Sequence, residues 1–230
     1  IIEEALDGPL ESSRPILYAA AYRFPTCGEL IVEIATKELH ALSTLPFSEG
    51  DMESEAKQRF VGRLRLLNLF VRHVPVCASW RLYDIFITFL EQHICIAEAD
   101  EHRRMMVVDR AFRVALQHVE MMIDSTPLWL RYLNWRSLKT RNHYQRREFT
   151  RKFYKRMLYT PLEGLGRVRD EYLQFESLEA PSTSSRPPDP SIKQKMDRAF
   201  SFAEVRSQTL RPLTLQRFFP ERKTALLMAA

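Results

Sequence analysis

The stretch VDRAFRVALQHVEMMIDSTPLWLRYLNW, from Val108 to Trp135, decides the fold of this chain. Within it Trp129, Tyr132 and Trp135 follow one another at three-residue steps after Pro127. On a helix this spacing places each aromatic ring above the next along a single face. One short helix cannot bury such a face alone, so we expect a second helix to cover it.

The same aromatic pattern occurs again after Pro75 and, in degenerate form, after Pro161. A repeat of this kind is typical of stacked helical hairpins, in which each hairpin completes the core of its neighbour. We therefore predict an all-α fold, an α-solenoid of antiparallel helix pairs whose exposed surface binds other macromolecules. The expected core residues of the repeats are Trp80, Tyr83, Phe86, Phe112, Trp129, Tyr132, Trp135, Phe153, Tyr172 and Phe175.

Composition supports a helical protein and argues against several other classes. The chain has 230 residues and is 45% hydrophobic, enough for one elongated domain or two compact ones. It contains 6 Gly, whereas average usage would give roughly 16, which argues against Gly-rich phosphate loops and most all-β designs. Its three Cys are dispersed without a C-x-x-C pair, which indicates neither a disulfide framework nor a zinc site and favours a reducing compartment.

No membrane segment or leader is expected from the sequence. The longest apolar stretch, Ile85 to Ala97, is interrupted by polar residues and is shorter than the roughly 20 residues that a membrane helix needs. We therefore expect a soluble protein. The chain begins at Ile1 without Met and lacks the pattern of a signal peptide, which predicts a fragment boundary there.

Helical periods and capping residues divide the chain into segments. The first domain, residues 1–178, is predicted to hold four to five helix pairs; a Pro- and Ser-rich loop, 179–191, follows, and 192–230 adds a further helix and an irregular end. The predicted helices are Pro15–Phe24, a helix that follows Thr26, Glu53–His73, Trp80–Ala97, Glu101–Ile123, Pro127–Leu138, Gln145–Leu158, Leu165–Leu178 and Ile192 to about Gln208. Thr26, Ser79 and Ser125 are the predicted N-caps of the helices that follow them. Helix Glu53–His73 carries an apolar stripe of Phe60, Leu64, Leu67 and Val71.

The helix pairs resemble a known repeat class. Pro25, Pro75, Pro127 and Pro161 each stand between one hairpin and the next. This arrangement, with W-x2-Y on the first helix and an aromatic residue and a Pro on the second, resembles half-a-TPR (HAT) repeats, which occur mostly in RNA-processing complexes.

A closer resemblance covers roughly Pro15 to Glu176 and, more faintly, Lys193 to Arg206. The stretch quoted above resembles a hairpin of the large HAT subunit of cleavage stimulation factor, the Rna-fourteen family of yeast. The F-P-T-C-G sequence at Phe24 to Gly28 is similar to that family's first inter-repeat turn, and Arg147 to Glu176 matches its spacing from Y-x-R through Pro to D-Y-x-x-F-E.

That resemblance implies a nuclear adaptor without catalytic residues or cofactors, a scaffold of the pre-mRNA 3′-end cleavage and polyadenylation machinery. Members of the family bridge cleavage stimulation and polyadenylation-specificity factors, form homodimers through later repeats, and contact RNA mainly through a subunit held by their tail. This chain is then expected to hold only the earlier repeats.

A basic stretch is the best candidate for a partner or RNA surface. Between residues 136 and 156, nine Lys and Arg residues accompany a single acidic residue, Glu148. Such a run fits three interpretations: a solvated helix face, contact with an acidic partner, or contact with RNA phosphates. The nine are Arg136, Lys139, Arg141, Arg146, Arg147, Arg151, Lys152, Lys155 and Arg156.

Two other functions stay open beside the 3′-end scaffold. A HAT splicing factor of the U1-associated or crooked-neck type would show the same W-x2-Y hairpins. A basic helical module that binds RNA directly would lose salt-sensitive binding when Arg147, Arg151 and Lys155 are made neutral. An enzyme is not expected, because no nucleophile, base and orienting group can be aligned. No metal site is predicted either; Glu98 and His102 are more typical of a surface pair.

Overall fold

A computed structural model describes residues 2–45, 52–94 and 100–178, together with residues 194, 197, 198, 200–206, 208 and 209. Its helices are α1 (Ile2–Asp7), α2 (Leu10–Arg23), α3 (Gly28–Ser43), α4 (Met52–His73), α5 (Trp80–Phe89), α6 (Glu101–His118), α7 (Thr126–Lys139), α8 (His143–Tyr159) and α9 (Leu165–Leu178). The described residues between 194 and 209 are helical too. Those ranges contain no strand, so the predicted all-α class is confirmed.

Contacts divide the chain into two compact units, Ile1–His118 and Val119–Ala230. The predicted Pro- and Ser-rich loop at residues 179–191 lies outside the described residues. Among the helices that are described, none combines the length and the apolar character required to span a bilayer.

Two predicted helices are shorter than the sequence suggested. The helix predicted at Trp80–Ala97 is regular only to Phe89, and a π-helical turn at Leu90–Ile94 follows it. The helix predicted at Glu101–Ile123 ends at His118. Beyond it the N–H of Met122 donates to the carbonyl of Val119 at 2.9 Å, a tight turn that replaces the α-helical bond.

Of the three predicted caps, one is confirmed. The Ser79 hydroxyl accepts the N–H of Leu82 at 3.4 Å at the start of α5. The Thr26 cap is wrong, because Cys27 stands at the N-cap of α3 and makes no side-chain cap bond. Ser125 stands at the N-cap of α7 but makes no side-chain cap bond, and its hydroxyl donates backwards to the Met122 carbonyl at 2.7 Å. Pro127 has no N–H, which removes one of the two usual partners of a cap.

In the first unit, α3 packs against both α4 and α5. Ile31 and Ile34 of α3 are buried in this core. Phe70 of α4 meets Phe86 and Phe89 of α5, with ring centroids 5.1 Å and 5.4 Å apart. The unit is therefore a stack of apolar helix faces, as the repeat pattern predicts.

The turn between α2 and α3 is tied to the end of α4. The Pro25 carbonyl lies 3.1 Å from the Nδ1 atom of His73 and accepts the Cys77 thiol at 3.0 Å. Farther along, the Tyr83 hydroxyl donates to the Val74 carbonyl at 3.1 Å and also contacts His118 at the end of α6. Burial raises the pKa of Tyr83 to about 12, so this hydroxyl keeps its proton at neutral pH.

Helix α4 buries a different face from the one that its most regular apolar stripe suggests. An apolar stripe normally faces the core, yet Phe60, Leu64, Leu67 and Val71 are all exposed. The buried residues are Leu66, Leu69, Phe70 and His73, which also follow a helical period. The sequence of α4 carries two apolar faces, and packing against α3 and against Phe86 and Phe89 of α5 selects the second.

In the second unit, α8 runs antiparallel to α7 on one side and to α9 on the other. Trp129 near the start of α7 contacts Phe153 of α8 at 5.5 Å between ring centroids, while Ser137 near the end of α7 reaches back to Thr150 at 3.3 Å. Between α8 and α9, Tyr154 stacks on Tyr172 at 5.5 Å. This is the antiparallel pairing that the aromatic spacing predicts.

Two loops of the second unit are joined by hydrogen bonds. The N–H of Glu163, in the turn between α8 and α9, donates to the Ile123 carbonyl at 2.6 Å, and the Thr126 hydroxyl donates to the Glu163 carbonyl at 2.7 Å. Gly164 has φ of +73°, a conformation that glycine adopts without strain. The start of α7 is thereby held against the turn that begins α9.

The two faces of α4 predict opposite effects of the same substitution. We expect Phe70→Ala to lower the free energy of unfolding by about 3–5 kcal/mol, because it leaves a cavity against Phe86 and Phe89. Phe60→Ala should change it by less than about 0.5 kcal/mol, because Phe60 is exposed. Urea denaturation followed by circular dichroism measures both, and equal losses would contradict the assigned faces.

Candidate functional site

The nine cations of the basic stretch lie on the last turn of α7, the turn that follows and α8. At the end of α7, the Thr140 hydroxyl donates to the Arg136 carbonyl at 2.8 Å. At the start of α8, the Asn142 side chain accepts the N–H of Gln145 at 3.1 Å. This connection is short, so it brings the cations at the end of α7 close to those at the start of α8.

Arg151 is used to hold the second unit together. Its guanidinium donates two hydrogen bonds of 2.6 Å each to the two carboxylate oxygens of Glu176 on α9. The Tyr172 hydroxyl donates to the same carboxylate at 2.8 Å. Arg151 lowers the pKa of Glu176, mainly through these hydrogen bonds, while burial is the main reason that the pKa of Tyr172 is raised.

Arg156 also acts inside the fold. It donates to Glu120 at 3.3 Å, and its guanidinium carbon lies 5.0 Å from the centre of the Trp129 ring. That is the distance of a cation–π contact. Because Trp129 is buried, Arg156 covers a core side chain and at the same time pairs with a carboxylate.

The other seven cations fall into three groups. Lys152 pairs with Glu148 one turn away at 3.1 Å, and Arg136 and Arg147 are half-buried. Among the residues that the structure describes, no carboxylate forms an ion pair with any of the remaining four, all of which are exposed, although the charge of Lys155 helps to lower the pKa of Glu176. These four are Lys139, Arg141, Arg146 and Lys155.

Three of these four cations surround the turn between α7 and α8. Two large exposed side chains accompany them, with 76% of Leu138 and 74% of Tyr144 accessible. We call Leu138, Lys139, Arg141, Tyr144 and Arg146 the α7–α8 tip. Lys155 lies more than two turns farther along α8 and is not part of it.

The α7–α8 tip is suited to a partner that carries negative charge. Exposed cations can meet carboxylates of a protein or phosphates of RNA, and an exposed aromatic ring can pack on a protein or stack on a base. The sequence pointed to the cations but missed Leu138 and Tyr144. The sequence signal that could have found them is the position of an aliphatic and an aromatic residue directly beside the cations of a turn.

The ten aromatic residues expected in the repeated core fall into two classes of burial. Six are buried, namely Tyr83, Phe112, Trp129, Tyr132, Phe153 and Tyr172. Four are half-buried, namely Trp80, Phe86, Trp135 and Phe175. The half-buried rings still pack on neighbours; Trp135 stacks on Tyr132 at 6.3 Å and Phe175 packs against Tyr154 at 6.1 Å.

No group of His, Cys, Asp and Glu among the described residues could hold a metal ion. Of the residues weighed for a metal pair, Glu98 lies outside the described ranges. The site is thus described by its charge and exposed surface.

Comparison with known proteins identifies relatives over most of the chain. The model of the Suppressor of forked protein (Suf) family matches residues 52–208. The chain is 23% identical over 174 residues to the mRNA 3′-end-processing protein rna14 of Emericella nidulans and 25% identical over 174 residues to the mRNA 3′-end-processing protein RNA14 of Yarrowia lipolytica. Both matches cover 73% of this chain, which spans 14% and 19% of the length of these relatives.

The contacts of Glu176 predict an acid-sensitive stabilisation of the second unit. We expect Glu176→Gln to lower the free energy of unfolding by roughly 1–3 kcal/mol near neutral pH, because it weakens the paired hydrogen bonds to Arg151. The pKa of Glu176 is below the ordinary 4.5 in the folded state. Its stabilisation is therefore complete above that ordinary value and disappears as the pH falls through the folded value.

Urea denaturation from neutral pH down through the carboxyl range measures this effect. The wild-type protein and the Glu176→Gln variant should converge as the pH falls. Glu148→Gln is the matched control. Glu148 pairs with Lys152 one turn farther along the same helix, and this pair is more exposed than the Arg151–Glu176 pair. Such pairs contribute about 0.2–0.5 kcal/mol. A pH-independent difference between wild type and Glu176→Gln would refute the assignment.

Proposed function

The chain belongs to the Suppressor of forked protein family, and we propose that it is a non-catalytic scaffold of the mRNA 3′-end-processing machinery. The observation that carries this proposal is the family match over residues 52–208, with two relatives named for mRNA 3′-end processing. Those names favour 3′-end processing over splicing. In this proposal the protein acts in the nucleus and bridges subunits of the cleavage stimulation and polyadenylation-specificity factors.

Within each unit, the geometry supports a scaffold because its helix pairs are fixed before any partner binds. In the second unit, α8 is fastened to α9 by the Arg151–Glu176 pair and to α7 by the packing of Trp129. A surface on such helices loses little conformational freedom on binding, which favours affinity. RNA contact is then mainly indirect, and homodimer formation belongs to later repeats.

Affinity purification of the full-length protein from nuclease-treated nuclear extract, followed by mass spectrometry, tests the scaffold. We expect 3′-end cleavage and polyadenylation subunits to remain bound after RNA is removed, because the contacts are between proteins. Recovery of spliceosomal Sm proteins in their place would assign the chain to the splicing class of HAT proteins. Loss of every partner after nuclease treatment would reject both scaffold roles.

Direct RNA binding is the second candidate function, and the α7–α8 tip is the observation that favours it. Exposed Lys139, Arg141 and Arg146 lie beside the exposed ring of Tyr144, the combination that single-stranded RNA sites use. Arg151 is a poor residue for testing this function, because its neutralisation would also release Glu176 on α9.

A variant with Lys139→Gln, Arg141→Gln and Arg146→Gln separates the two functions. If the α7–α8 tip binds RNA, the variant should weaken binding to a single-stranded RNA and flatten the plot of log affinity against log salt by about 2. If it binds an acidic protein surface, nuclease-resistant partners should be lost instead. Electrophoretic mobility shifts and the purification above measure the two outcomes.

The matched control for that variant changes Arg23, Arg110 and Arg198 to Gln. These three arginines are also exposed, so the control removes the same charge elsewhere. An equal effect of both variants would mean that net charge alone governs binding, and would reject a role for the α7–α8 tip.

A further inference from the structure

An apolar stripe lies exposed along one side of α4 in the first unit. Phe60, Leu64, Leu67 and Val71 are 61%, 41%, 37% and 69% accessible. They cover three turns of the helix, a length of about 16 Å. The opposite side of α4 is fixed in the core by Leu66, Leu69 and Phe70. The stripe is therefore a stable surface feature, and it offers a contiguous apolar surface on which a partner can pack.

The spacing of the stripe indicates the shape of its occupant. The four residues are separated by four, three and four positions, which is the a/d seam of a coiled coil. A seam of this kind receives the side chains of a second helix between its own. A helix with apolar residues at the same alternating intervals is the complementary shape.

Charge indicates which kind of helix fits. Residues 56–83 contain no Asp or Glu. Within them, Lys57, Arg65 and Arg72 are exposed on α4. Arg72 also lies 4.5 Å above the ring of Tyr22, which is itself exposed. A helix that brings carboxylates to the edges of the stripe would meet complementary charge along its length.

Three other occupants fit less well. A second copy of this chain would set the cations of one α4 against those of the other, which is repulsive. Residues 210–230, outside the described residues, contain four Lys and Arg and one Glu, so their charge has the wrong sign. RNA would suit the cations, but only Phe60 of the four stripe residues offers a ring for a base to stack on, and the other three are aliphatic.

From these observations we propose that the α4 stripe, Phe60, Leu64, Leu67 and Val71, is the docking site for an acidic amphipathic helix of a partner protein. The apolar side chains supply affinity, and the surrounding cations select for acidic flanks. The docking site does not depend on the 3′-end-processing role, because it follows from the exposure and charge of α4 alone.

A designed peptide tests the site without knowledge of the natural partner. The probe is a fluorescein-labelled helical peptide of three heptads, with Leu at the a and d positions and Glu at the flanking positions. A second peptide has Lys in place of each Glu. We expect the Glu peptide to bind the whole chain, by fluorescence anisotropy, at least about tenfold more tightly than the Lys peptide, because its charges complement those of α4. Equal affinity of the two peptides would overturn the proposal.

Two variants locate the binding on α4. Leu64→Ser with Val71→Ser should weaken the Glu peptide by at least about tenfold, because two exposed apolar contacts are lost. The matched control is Val107→Ser with Val114→Ser, which changes two exposed apolar residues seven apart on α6 and should leave binding within about twofold of wild type. An unchanged affinity in the α4 variant would place the peptide elsewhere and reject the site.

A charge-reversal variant gives a gain of binding as a further readout. Lys57→Glu with Arg65→Glu should move the preference from the Glu peptide to the Lys peptide, a result that a merely unfolded protein could not give. Sedimentation of the peptide-free chain tests the second copy. Wild-type dimers that are lost in the Leu64→Ser, Val71→Ser variant would show that α4 pairs with another copy, and would overturn the proposed partner.

Discussion

The fold depends on a simple constraint: an aromatic helix face must be buried by another helix. Trp129 shows this in the second unit, where Phe153 and the guanidinium of Arg156 enclose it. Phe70 shows it in the first unit, between Phe86 and Phe89. Because each helix covers the apolar face of its neighbour, the helices form a core within each unit, and their outward faces are left to interact with other molecules.

The cations of the second unit divide in the same way, into those that bind other residues of the unit and those that stay exposed. Arg151 and Arg156 lie on the same helix as Lys155, yet they bind Glu176 and Glu120 within the unit. Both arginines are paired with a carboxylate of the same unit, so they are less available to a partner than unpaired cations are. The charge that remains available is concentrated at the α7–α8 tip, beside exposed apolar side chains. The run of nine cations in the sequence is therefore larger than the exposed, unpaired cationic surface that it produces.

The two candidate surfaces differ in their chemistry. The α7–α8 tip is a cluster of cations at a turn, suited to an anionic surface whose exact shape matters little. The α4 stripe is an ordered apolar seam with cations beside it, suited to a helix of defined register. A scaffold needs several surfaces with different preferences so that each partner is bound in its own place.

The sequence by itself determined the helical class, most helix positions and the aromatic pairing, because these follow from local spacing and from residues such as Pro127 and Ser79. It could not determine which face of α4 is buried, since Leu64 and Leu66 belong to two different stripes that both follow a helical period. Nor could it show that Arg151 forms an ion pair with Glu176, because the two residues are 25 positions apart. Those outcomes depend on contacts between distant segments, and only the tertiary structure decided them.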